Sequence, residues 1–274
     1  HTRSLSVSWG SEMCIRDRAF VVGVLVSLCA ALLGTSLVLK RFSMIGDGLS
    51  HVGFGALAVA SALGVAPLAV AVPVVVAAAV LLLRVSQSGR VRGDAAVALI
   101  SSGALAVGVL VISLTSGVNT NVSNYMFGSI LTISRSDAVL SVALCAAVLA
   151  VFTLFYPRIF AVTFDETFAR ATGTRAEGYN LLLAILTAVT VVLGMRMMGA
   201  LLISSLMIFP ALSAMRVFRS FRSVTVCSAV LAVCCFAAGM TASYALETPS
   251  GASVVAVNIL AFGAFALAGR LLRR

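Results

Sequence analysis

A chain of 274 residues with 61% hydrophobic and 10% charged side chains and a mean hydropathy of +1.13 is not a soluble domain, which carries about 25% charged residues. The net charge of +10 does not point to nucleic acid: the arginines fall in short connections between apolar runs, and no basic stripe with interleaved aromatics occurs. The composition is that of an all-α polytopic membrane protein.

Residues 1–18 differ from the rest. They lack helical periodicity, hold the only tryptophan (Trp9) and end in the polar run SEMCIRDR. An apolar stretch with a small-residue cleavage site, as in a signal peptide, is absent. The string resembles translated adapter sequence at the ends of some metagenomic reading frames. It is expected to be a non-native leader outside the fold, leaving 19–274 as a single transmembrane domain.

From Ala19, nine apolar runs follow at 19–39, 47–65, 67–83, 95–114, 137–156, 179–195, 199–215, 223–244 and 252–269. Each is roughly 17 to 22 residues, enough to cross a bilayer. The expected span count is eight to ten. If Lys40 and Arg41 face the cytoplasm and the chain alternates, fourteen Lys and Arg fall on that side, and Arg135 and Arg196 alone on the other. That bias makes the C-terminus cytoplasmic. Six cysteines, five of them inside apolar runs and none in a CxxC pair, read as small core residues rather than as metal or disulfide chemistry.

The segment GDGLSHVGFGA at 46–56 carries the most chemistry. His51 is the only histidine besides His1, and Asp47 lies four positions before it. On a helix, positions i and i+4 share a face, so a carboxylate oxygen and an imidazole nitrogen can converge on one point. Ionisable groups in a membrane helix are costly and mark ion or proton pathways. Oxygen with imidazole suits zinc, manganese or ferrous iron. Asp47 also reads as a helix N-cap, which would loosen that convergence. His51 also reads as a hydrogen-bonding partner of a neighbouring helix. Gly46, Gly48, Gly53 and Gly55 read as close helix packing.

Residues 115–137 begin polar and then carry YMFGSIL at 125–131, too short to span and expected to lie in the interface or fold back. Between Pro157 and Gly178 a short cytoplasmic helix is expected. Thr163 or Asp165 caps it, Asp165 and Glu166 sit in its first turn, and Gly173 ends it. Phe164, Phe168 and Ala169 are then available to a partner, the alternative being a solvated loop helix. Pro210 is expected to kink the 199–215 helix, with Ser204 and Ser205 satisfying the freed carbonyls. No GxxxxGK[ST] phosphate loop occurs, so ATP is not bound that way.

Five ordered segments, GDGLSHVGFGA, YMFGSIL, FDETFARATG (164–173), MGALLISSLMIFPALSAMR (198–216) and ETPSGA (247–252), resemble the integral membrane permease family of bacterial ATP-binding-cassette importers for zinc, manganese and iron. The resemblance covers nearly all of 19–274. It implies a permease homodimer in the bacterial inner membrane, two cytoplasmic ATPase subunits and an extracytoplasmic metal-binding protein. It places Asp47 and His51 on the metal pathway. Glu247 stands where the family more often has aspartate, and is carried over as a third metal-pathway residue. Phe164, Asp165, Glu166, Phe168, Ala169 and Gly173 match the helix that docks the ATPase.

The expected function is therefore that of a non-catalytic permease subunit moving a divalent metal ion by alternating access. It binds no permanent cofactor and no nucleic acid. The rivals are a secondary metal transporter without an ATPase and an ABC permease for a metal chelate. Intramembrane acids would serve the first, but the acids here lie almost all in loops. The second would not need the Asp47–His51 pair.

Overall fold

Apolar runs in a bilayer have no water to satisfy their backbone, so they close their hydrogen bonds internally as helices. The computed structural model describes residues 2–40, 42–87, 93–115 and 135–271, with side chains from residue 20 onward except 135–137. Its elements are all α-helices: α1 (Thr2–Leu39), α2 (Met44–Ala62), α3 (Pro67–Gln87), α4 (Gly93–Leu114), α5 (Arg135–Leu154), α6 (Tyr156–Phe164), α7 (Glu166–Ala171), α8 (Ala176–Met198), α9 (Ala200–Val217), α10 (Phe221–Leu246) and α11 (Ser250–Leu271). The YMFGSIL segment and Arg90 and Arg92 lie outside the described residues.

Among the described residues, seven helices are long and apolar enough to cross a membrane: α1 from Phe20, α3, α4, α8, α9, α10 and α11. α5 and α6 form an eighth candidate, but they meet at a bend of 69°. The run expected to span 137–156 therefore stops at Leu154. Pro157 in the first turn of α6 has no N–H to continue the ladder, and its ring clashes with the carbonyl four residues earlier. α2, which holds Asp47 and His51, is not among these seven. It nonetheless has 13 of its 19 residues buried, against 4 of 22 in α11. A polar helix of membrane length is tolerated when protein, not lipid, surrounds it.

α2 packs against α3, α4, α8 and α9, and α1 against α8, α9 and α10. Lipid is as apolar as leucine, so close approach of backbones supplies the attraction between helices. At the α2–α4 crossing, a Cβ on Gly55 would stand 2.6 Å from the Ala104 carbonyl oxygen, and one on Gly108 would stand 3.0 Å from the Gly55 Cα. Only hydrogen fits there. Gly46 faces Met207, Gly48 faces Val97 and Gly53 faces Met195 at similarly short range, so all four glycines of the motif serve packing, as expected.

Several buried polar side chains bond back to their own helix: Thr35 Oγ1 to the Ala31 carbonyl (2.9 Å), Thr187 Oγ1 to Leu183 (2.7 Å), and Asn258 Nδ2 to Val254 (2.9 Å). Such bonds let a polar residue sit in a span. Pro210 lies inside α9 and frees the carbonyl of Leu206, four residues earlier. The role expected of the two serines is corrected. Ser204 bonds instead to the Ala200 carbonyl (2.9 Å), and the Ser205 hydroxyl is buried without a partner.

One end of the bundle can be assembled from contacts. Lys40, after α1, meets Glu166 of α7. Phe42 and Met44 share a pocket with Ser86, Gly93 and Asp94 at the α3–α4 connection. Tyr156 and Phe160 of α6 stack near Phe221 at the start of α10. Gly269 near the end of α11 abuts the Arg216 carbonyl near the end of α9. This basic end also holds the α7 helix and the start of α2.

Candidate metal pathway and coupling helix

α2 begins three residues earlier than its apolar run. Ser43 precedes it, without a side-chain cap bond, and Asp47 lies inside the first turn. The N-cap reading of Asp47 is thereby excluded, and ideal i,i+4 geometry applies. Asp47 Oδ2 stands 3.7 Å from His51 Nε2, with side-chain exposures of 41% and 29% respectively. Metal–oxygen and metal–nitrogen bonds of about 2.1 Å on a tetrahedral ion put two donors about 3.4 Å apart. A small side-chain rotation closes the difference, so one ion can be shared by the pair. Ser50 Oγ is turned away, donating to the Asp47 carbonyl (2.6 Å).

Among the described residues no group of three or more His, Cys, Asp or Glu could hold a metal ion. Glu247 does not complete the shell: it is exposed, caps the end of α10 and has a left-handed backbone (φ 51°). α10 begins at the basic end and has 26 residues, or about 39 Å at 1.5 Å per residue. Glu247 therefore sits at the opposite end of the bundle from the start of α2.

The short helix forms as expected but with a different lead-in. Thr163 lies in the last turn of α6, so it is not the cap. Asp165 is: its carboxylate accepts from the Phe168 N–H (2.9 Å) and from the Thr167 hydroxyl (2.6 Å). Hydrogen bonds from Thr167 and then Phe168 hold the Asp165 carboxyl below its ordinary value. Gly173, at φ 82°, allows the left-handed turn that stops the helix. Phe164 and Phe168 are exposed at 68% and 64%. Ala169 corrects an expectation: it is fully buried and packs with Val162 and Ala176, so it seats the helix on the protein itself.

Glu166 looks inward too. Its Oε1 pairs with Arg170 of the same helix (2.7 Å). Its Oε2 accepts from Asn180 Nδ2 of α8 (3.1 Å) and lies 3.7 Å from Lys40 Nζ. Burial opposes ionisation of Glu166, but the Asn180 amide, Lys40 and Arg170 outweigh it and keep the carboxyl below its usual range. Burial in turn lowers the Lys40 ammonium, with Glu166 acting against that shift. From sequence, Lys40 serves only as a mark of orientation and Asn180 carries no role. A lone amide at the head of the apolar 179–195 run was the available signal.

Residues 13–268 match the profile of the ABC 3 transport family. The chain belongs to that family. Family membership implies an ATPase partner and a substrate-binding protein, and the chain is of the permease type. It is similar to the manganese import system permease protein ScaB of Streptococcus gordonii, at 25% identity over 90% of this chain and 88% of that one. The high-affinity zinc uptake system membrane protein ZnuB of Haemophilus influenzae is 28% identical, over 89% of this chain and 94% of that one. In three dimensions the chain resembles PsaBC from Streptococcus pneumoniae, solved in complex with Fab, with a TM-score of 0.82, 25% identity and coverage of 92% and 90%. An inward-facing, metal-chelate type ABC transporter shares the fold at a TM-score of 0.73 and 17% identity, with coverage of 92% and 85%. The family's multi-pass helical architecture is thus present along nearly the whole chain.

Proposed function

We propose that this chain is the permease subunit of an ATP-driven importer that carries a divalent transition-metal ion, zinc, manganese or ferrous iron, into the cytoplasm by alternating access. The observation that carries the reading is the 3.7 Å approach of Asp47 Oδ2 and His51 Nε2 on α2. The ion is cargo rather than a resident cofactor. A two-donor site is suited to that, since an ion held in a closed shell would not leave. A second copy of the permease, backbone carbonyls and water supply the remaining ligands, and the working unit is a homodimer. Names of relatives that move manganese and zinc support the cargo class.

In this reading residues 19–274 form the permease. The basic end faces the cytoplasm, together with the C-terminus, in a bacterial inner membrane. Asp47 and His51 then act near the exit, and Glu247 meets the incoming ion at the outer mouth. ATPase subunits dock on Phe164 and Phe168, and their closure rocks the helices between outward-open and inward-open states. The permease itself does no covalent chemistry; ATP is hydrolysed on the partner. Placement of the described acidic side chains other than Asp47 disfavours a secondary transporter: Asp94, Asp165, Glu166, Glu177 and Glu247 all sit at helix ends.

The test is metal uptake by cells carrying the whole operon, with zinc, manganese and ferrous iron in competition. Saturable, ATP-dependent uptake of one free ion is the expected result. Uptake only of a chelated metal would assign the chain to the chelate class, and uptake without an ATPase would refute the importer.

A further inference from the structure

α7 has six residues, too few to hold its shape or position by its own hydrogen bonds. Inward-facing Ala169 and Glu166 hold it to the bundle. The Glu166 carboxylate ends in a ring drawn from three elements. Lys40, with a side chain only 8% exposed, lies 3.7 Å from Glu166 Oε2 and donates to Asn180 Oδ1. Asn180 Nδ2 donates back to the same Glu166 oxygen at 3.1 Å. Each member satisfies the other two, and removing Glu166 or Asn180 would leave a buried ammonium short of partners.

Lys40 is also the point from which the pathway helix starts. Its backbone N–H is bonded to the Ser36 carbonyl (3.1 Å), that of Phe42 to Leu37 (2.9 Å) and that of Ile45 to Phe42 (3.1 Å). The connection between α1 and α2 is therefore short and tied at both ends. Met44 opens α2, and Asp47 lies within its first turn. A displacement of Lys40 has little slack in which to be lost before it reaches the Asp47–His51 pair.

We propose that Lys40 is a positioning residue that transmits movement of α7 to α2: Glu166 pulls on the Lys40 ammonium, Phe42 and the start of α2 follow, and the Asp47–His51 pair is re-aimed. Asn180 is the fixed post on α8 against which the ion pair moves. This rests on the importer reading above, and it deepens it by naming the link between ATPase docking and the ion site. A static anchor would use the same contacts, but it would fail differently. Loss of an anchor releases the ATPase, whereas loss of a transmitter leaves the complex assembled and hydrolysing ATP without moving metal.

The experiment uses the permease with its ATPase and binding protein in proteoliposomes, reading metal accumulated per ATP hydrolysed and ATPase co-purification. Lys40→Met is expected to lower uptake per ATP by about tenfold or more, within the range of coupling between linked sites, with co-purification unchanged. Lys40→Arg, which keeps the charge, is expected to restore most of the coupling. Lys40→Met with Glu166→Gln should be no worse than the poorer single variant, because both break one link. Wild-type uptake per ATP in Lys40→Met overturns the proposal. Parallel loss of co-purification and uptake overturns it in favour of a static anchor. If Lys40→Met does not accumulate in the membrane, the double variant, which leaves no buried charge, is read instead. Normal coupling there is equally fatal. A wild-type complex that moves no metal would refute the importer reading rather than this link.

Discussion

Replacing Gly55 by alanine adds one methyl group where α2 and α4 touch. The new Cβ would stand 2.6 Å from the Ala104 carbonyl oxygen and 3.3 Å from its carbon. Carbon–oxygen contacts between helices settle at about 3.3–3.6 Å, so the helices must separate by most of an ångström or the backbone must shift. Overpacking of this kind costs about 1–3 kcal/mol. Gly103 on α4 is a matched control, because its added Cβ meets nothing within 4 Å. There alanine brings only its helix propensity, a gain of up to about 1 kcal/mol. Thermal unfolding of the purified protein in detergent should therefore give a lower midpoint for Gly55→Ala than for wild type, and an equal or higher one for Gly103→Ala. A Gly55→Ala midpoint at or above that of Gly103→Ala would refute the close α2–α4 packing. The variant should also lose transport out of proportion to its stability, since His51 lies one turn before Gly55 on the same helix.

Two further outcomes follow from the surface and the ends of the bundle. Phe168→Asp puts a charge in the exposed aromatic face of α7 and should abolish both ATPase co-purification and transport; intact co-purification with full transport would leave α7 a solvated helix. In a background lacking native cysteines, a cysteine at Arg84 should be shielded from an impermeant thiol reagent in intact cells while one at Ser250 reacts; the reverse pattern would put α7 in the wrong compartment for an ATPase.

Local signals in the sequence carry as far as their physics is local. Apolar runs of membrane length become helices because the bilayer leaves no alternative. Asp165 and Gly173 bound α7 because capping and left-handed turns need only their neighbours. Asp47 shows the limit of that reasoning: Gly46-Asp47 before an apolar run has the pattern of a cap, yet packing of Ile45 against the bundle extends the helix back to Met44. Pro157 carried the signal for the bend at Phe155, but the apolar run continued across it. The Lys40–Glu166–Asn180 ring joins residues 126 and 140 positions from Lys40, and no periodicity in one helix encodes which distant polar residue it will meet. Glu247 stands far from Asp47 and His51 because the length of α10 carries it to the other end of the bundle.

Metal uptake by His51→Ala at matched membrane abundance tests the ion's path through α2 most directly. His51 is half-buried and its removal takes away one of the two donors that approach each other on α2, while leaving the glycine contacts of that helix in place. Near-normal abundance and assembly with the ATPase are expected, with uptake reduced by about tenfold or more, the scale seen when a metal site loses even an outer-shell partner. Wild-type uptake by His51→Ala would contradict the assignment of Asp47 and His51 to the ion's path.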